Sequence, residues 1–202
     1  MPKIEIHDLN ELIKQNYPQQ IVEKMIKEVL ALSMLVKNDY PDYKEWFTTV
    51  QVPGIYTNER NIIIAHINDR IVGFVSLKKT KTEKKICTFY VEKSFRKNKI
   101  GTTLVEKAIE YLEESCPLIT IPMDKLHEFI KIANKYNWKI TDIKENLYRT
   151  TTPEVIVNGT ITVPNENISV EKSLQKVYRI YKIERIKQSI KTILNNPQFL
   201  WK

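Results

Sequence analysis

At 202 residues, with 42% apolar content and only four glycines, the chain can bury a real core and fits one domain of about 150 residues plus an appendage, a composition that argues against disorder. Its 32 Lys and Arg against 24 Asp and Glu leave a formal net charge of +8, favouring polyanionic partners such as nucleic acid, anionic lipid or a phosphorylated cofactor. Two cysteines give no disulfide framework, three scattered histidines give no metal-ligand spacing, and neither a signal segment nor an apolar run near the ~20 residues of a membrane span is visible, so we expect a soluble cytoplasmic protein without a metal.

In chain order, the alternation of Lys3 to His7 predicts a first strand, with Asp8 and Asn10 as caps for a helical start near Glu11. Pro18 opens a longer helix whose stripe is Val22, Met25, Val29, Leu32 and Val36. Residues 38–60 are irregular and aromatic-rich (Tyr40, Tyr43, Trp46, Phe47, Tyr56), reading as rings that close the core beneath a loop or as a substrate-facing loop. Asn61 to Ile67 and Ile71 to Leu77 flank Asn68-Asp69-Arg70 and predict a hairpin.

The most informative stretch follows. Ile86 to Val91 is β-branched and aromatic, as a buried strand requires, and Leu104, Val105, Ala108, Ile109 and Leu112 recur on one helical face. Between them lies the basic turn Arg96-Lys97-Asn98-Lys99-Ile100-Gly101-Thr102. A helix N-terminus offers free N–H groups and a partial positive charge, so this turn is a candidate phosphate site. Cys116-Pro117 is expected to end the helix, Leu118 to Ile121 to form a short strand, and Met123 to Tyr136 a helix burying Leu126, Phe129, Ile130 and Ala133. Trp138 to Ile143 and Glu154 to Val157 complete a β-α-α-β-β-β-α-β-α-β-β succession.

The turn resembles the pyrophosphate-binding Arg/Gln-x-x-Gly-x-Gly/Ala motif of the GNAT superfamily of N-acetyltransferases, reading Arg96-x-x-Lys99-x-Gly101 here, with Lys99 where the family usually has glycine. The order of elements is also the GNAT order, from Lys3 to Gly159. Phe89 to Ser94 and the Lys125-Leu126, Phe129 and Asn134-Lys135-Tyr136 positions look distantly like the tubulin acetyltransferase branch and like GNAT proteins of phage and bacterial mobile elements. The resemblance implies an α/β, GNAT-like mixed sheet, splayed between the strand ending at Val91 and that of Leu118 to Ile121 and flanked by helices. It also implies acetyl-CoA as co-substrate, an amine-bearing acceptor, and a cofactor site formed by Tyr90, Val91, Arg96, Lys97, Asn98, Lys99, Ile100, Gly101 and Thr102. Asn137-Trp138 replaces the family's Gly-Phe pair and Ala133 its acid tyrosine.

Acetyl transfer needs a base for an amine of pKa about 10.4 and an acid for a departing thiolate whose thiol has a pKa of about 8.5. Glu92 at the strand exit and Tyr136 at a helix end are the candidate catalytic pair. The expected domains are 1–159, the acetyltransferase domain, and 160–202, a basic helical C-terminal extension that packs on it, mediates a homodimer or touches nucleic acid. Two rival readings stand beside the enzyme: an acyl-CoA-binding sensor without turnover, and a nucleic-acid-associated protein using the basic surface.

Overall fold

The computed structural model describes residues 3–36 and 40–161. The chain divides into two compact units, Met1–Glu114 and Ser115–Lys202. Each sets helices against antiparallel strands, the α/β class expected from the sequence.

The first unit opens with β1 (Glu5–Asp8) and α1 (Leu9–Lys14). Asp8 caps α1 by accepting from the Glu11 N–H at 3.1 Å. Asn10 is not a cap: buried inside α1, its side-chain amide donates to the Arg60 carbonyl and to the Tyr111 hydroxyl. Pro18 precedes α2 (Gln19–Ser33), whose buried face is Val22, Ile26, Val29 and Ser33. That face is turned slightly from the expected stripe, and Met25 and Leu32 lie at its half-buried edge.

The irregular text before the hairpin is helical, contrary to expectation. It forms α3 (Tyr43–Trp46), a wider turn over Phe47–Gln51, and α4 (Val52–Tyr56). The segments are too short for a 3.6-residue pattern to repeat, and the wide turn shifts the inward face midway. Pro53 lies in the first turn of α4, where no N–H is needed. Tyr43 and Phe47 are buried and Tyr56 is half exposed, so only part of the aromatic set closes the core.

Strands β2 (Arg60–Ile67), β3 (Arg70–Lys79) and β4 (Lys84–Val91) follow. Asn68 and Asp69 both take positive φ (50° and 59°), the tight hairpin turn that suits the right-handed twist of the strands. The strand order is β1-β2-β3-β4, all antiparallel. Ile62, Ile64 and Phe74 face the helices α1 to α4 in one core with Leu9, Val29 and Phe47. In the β3–β4 register Ser76 opposes Thr88 and Leu77 opposes Ile86, leaving Cys87 as an extra, bulged residue.

Helix α5 (Ile100–Leu112) buries Ile100, Leu104, Val105, Ala108 and Leu112. It ends at Leu112, before Cys116-Pro117, because Glu113 turns left-handed (φ 51°) and its N–H closes back on the Ile109 and Glu110 carbonyls.

The second unit holds β5 (Leu118–Pro122), α6 (Leu126–Lys135), β6 (Ile140–Lys144) and β7 (Glu154–Val157), with strand order β5-β7-β6. The Met123–Lys125 stretch is a tighter turn ahead of α6, and Phe129 and Ile130 are half-buried rather than core. Trp138 is fully buried, its indole N–H donating to the Ser115 carbonyl at 2.8 Å. The expected C-terminal extension, apart from residues 160–161, lies outside the described residues, and its helix, homodimer and nucleic-acid roles with it.

Candidate functional site

Where β4 ends, the Glu92 N–H still donates to the Val72 carbonyl at 2.8 Å, carrying the strand one residue past Val91. A tight turn over Lys93–Phe95 then reverses the chain. The Arg96 Nε donates to the Val91 carbonyl at 3.0 Å, and the Asn98 side-chain amide to the Phe95 carbonyl at 3.3 Å. These bonds tie the turn to the strand that leads into it. Lys97 and Lys99 both adopt left-handed backbone, with φ of 68° and 62°.

Lys99 is the residue from which α5 starts, and its side chain makes no capping hydrogen bond. The Thr103 N–H bonds the Lys99 carbonyl at 2.9 Å, so the amides of Ile100, Gly101 and Thr102 lie ahead of the first intrahelical bond. A left-handed residue followed by helical ones turns successive N–H groups into a concave, anion-binding nest. The helix dipole adds a partial positive charge there, and Lys93, Lys97 and Lys99 are exposed around it. Backbone and side chains together suit a phosphate or pyrophosphate.

The acidic member of the exit is fixed. One nitrogen of Arg70 donates to both carboxylate oxygens of Glu92 at 2.8 Å, and the Ser94 hydroxyl donates to one of them at 3.1 Å. Arg70 in turn lies 5.9 Å from the Phe95 ring centre. In the sequence Arg70 stands only as the residue that closes the hairpin turn Asn68-Asp69-Arg70. Its pairing with a residue 22 positions away carries no local signal.

Tyr90, Val91, Glu92 and the whole 96–102 turn thus form one continuous feature of the first unit. Tyr136 belongs to the second unit, where it terminates α6. Its ring lies 5.6 Å from that of Trp138, and the Lys135 ammonium is 5.0 Å from its centre. Among the described residues no group of three His, Cys, Asp or Glu is placed to hold a metal, and no helix is long and apolar enough to cross a membrane.

The family model described as Acetyltransferase (GNAT) family matches residues 23–125, just over half of the chain and inclusive of the turn. Among solved structures, a GNAT-family protein from Desulfovibrio desulfuricans is 10% identical, with 77% of this chain and 97% of that chain covered at a TM-score of 0.56. A GNAT family acetyltransferase from Elizabethkingia anophelis with acetyl-CoA bound is 18% identical, covering 52% of this chain and 79% of that one at a TM-score of 0.43. Nourseothricin acetyltransferase is 12% identical over 50% of this chain at a TM-score of 0.44, and the match spans 65% of its length, less than two thirds. The likeness to the Desulfovibrio protein is one of fold. No curated protein sequence matches the chain.

Proposed function

Because the chain belongs to the GNAT family of acetyltransferases, we propose that it moves an acetyl group from acetyl-CoA to a primary amine by direct attack on the thioester. The observation that carries this reading is the head of α5, where three amides without intrahelical partners, a left-handed lead-in and exposed lysines converge. In this reading Arg96, Lys97, Asn98, Lys99, Ile100, Gly101 and Thr102 hold the pyrophosphate of coenzyme A, and Tyr90 and Val91 lie beside the pantetheine arm. Cys87 and Cys116 are not joined in a disulfide, which suits the reducing cytoplasm we propose for the protein.

Glu92 is the proposed acceptor of the amine proton. Its Oε1 accepts from both Arg70 and Ser94, whereas Oε2 accepts from Arg70 alone and keeps a lone pair for the proton. Tyr136 is the proposed acid for the departing thiolate. Acetyl-CoA at about 100 times its dissociation constant should stabilise the fold by roughly 2.7 kcal/mol, read as a rise in melting temperature. Thiol release in the presence of amines should then fall in Glu92→Gln and Tyr136→Phe through kcat. No melting shift at millimolar acetyl-CoA would sink the enzyme reading, and unchanged kcat in either variant would remove that residue from catalysis.

Lys99 favours the second reading, a sensor that binds acyl-CoA without turnover, because its side chain stands where the backbone must meet the phosphates. Left-handed backbone costs a residue with a side chain about 1–2 kcal/mol, while glycine's extra freedom in the unfolded chain costs about 0.5–1 kcal/mol. Lys99→Gly should therefore raise the melting temperature by a few degrees at most. If the ammonium pairs with cofactor phosphates, the same variant should lose roughly fivefold or more in acetyl-CoA affinity. Tighter binding by Lys99→Gly would mean that the side chain obstructs the site.

A further inference from the structure

On the helical face of the first unit, Arg60 presents a guanidinium that has no counter-ion among the described residues. Its stem is pressed against α4, where a side chain at Gly54 would come within 2.5 Å of the Arg60 Cδ. Its guanidinium lies 5.4 Å from the centre of the Trp46 ring. One nitrogen donates to the Gln51 Oε1 at 3.2 Å and approaches the Cys87 sulfur at 3.7 Å. Gln51 is itself fully buried and held by donation to the Asn61 carbonyl at 2.9 Å.

Every partner of Arg60 among the described residues is neutral. Burial pushes the Cys87 thiol up, against the pull of Lys85 and Arg60, so it meets the guanidinium as a thiol rather than a thiolate. A half-buried cation built into place by glycine, an aromatic ring and an amide, with no carboxylate on it, is costly unless an anion is to be bound. The β-bulge at Cys87 turns an extra side chain of β4 toward it. Nearby, the Tyr43 ring lies 5.5 Å from that of Trp46.

We infer that the acceptor is a small amine that also carries a carboxylate, and that Arg60, seated on Trp46, binds that carboxylate. This rests on the acetyltransferase reading and names the substrate class of the same reaction. Cys87 precedes Val91 by four residues, roughly 13 Å along the strand, so the carboxylate and the reacting amine are separated by several atoms rather than borne on one carbon.

The test compares 6-aminohexanoate with hexylamine, which differ only in the carboxylate, using the full chain with acetyl-CoA present. Tryptophan fluorescence and melting shift report binding, and thiol release reports transfer. The wild type should favour 6-aminohexanoate by roughly tenfold or more. Arg60→Met, which keeps the stem against Gly54, should bring the ratio close to one through KM, and Arg60→Lys should restore part of it. Discrimination in binding without thiol release supports the carboxylate site and sinks the transfer reading. Equal binding and turnover of the two amines by the wild type, or a ratio unchanged in a folded Arg60→Met, overturns the inference even where acetyl-CoA binds.

Discussion

Gly101→Asp should weaken acetyl-CoA binding by roughly a hundredfold while leaving the melting temperature equal to or above that of the wild type. Gly101 is the second residue of α5, inside its first turn. A carboxylate there is favourable to the helix, contributing about 0.3–1 kcal/mol against the dipole, and replacing glycine in a helix adds a few tenths more. For the ligand the same charge is hostile. Two like charges about 4 Å apart at an effective dielectric near 20 repel by about 4 kcal/mol, roughly a thousandfold, and screening at a half-exposed helix end reduces this to about a hundredfold. Stability and affinity thus move in opposite directions, which a merely misfolded variant cannot imitate. Calorimetric titration of acetyl-CoA reads the affinity and thermal unfolding the stability. Wild-type affinity in the folded variant would move the pyrophosphate away from the head of α5.

The parts of this molecule that could be read in advance are those whose cause is local. The β2–β3 hairpin was legible because two β-branched runs flank Asn68-Asp69, residues that tolerate the positive φ they adopt. The face of α5 was legible because its buried residues recur over thirteen positions. Glu154 to Val157 was read with its observed limits. The left-handed backbone at Lys97 and Lys99 could not be read, since lysine carries no preference for it. Nor could the Arg70–Glu92 pair or the Arg60–Cys87 contact, which join residues 22 and 27 positions apart. The second of these depends on a bulge that no periodicity announces. Helices α3 and α4 were hidden for a different reason: four or five residues cannot display a helical period.

Asn61→Leu should destabilise the first unit by about 3 kcal/mol, a fall in melting temperature of roughly 6–12 °C, although leucine matches asparagine closely in size. Asn61 is fully buried in β2. Its Oδ1 accepts from the N–H of Asn10 at 3.2 Å and of Ile62 at 2.8 Å, and its Nδ2 donates to the Asp8 carboxylate at 2.8 Å. Asn10 lies in the first turn of α1, where helix geometry provides its N–H with no acceptor. Leucine would strand that donor and weaken the hold on the residue that caps α1. Each buried donor left unsatisfied costs about 1–3 kcal/mol, and the losses fall on one connected network. The network also reaches the proposed acceptor site, since the Asn61 carbonyl holds Gln51, Gln51 holds Arg60, and the Asn10 amide holds the Arg60 carbonyl. Leucine leaves all three of these bonds in place, so below its melting transition the variant should keep both its acetyl-CoA affinity and its preference for 6-aminohexanoate over hexylamine. A melting temperature within a degree or two of the wild type would show that the strand and helix ladders, rather than Asn61, secure α1 to the sheet.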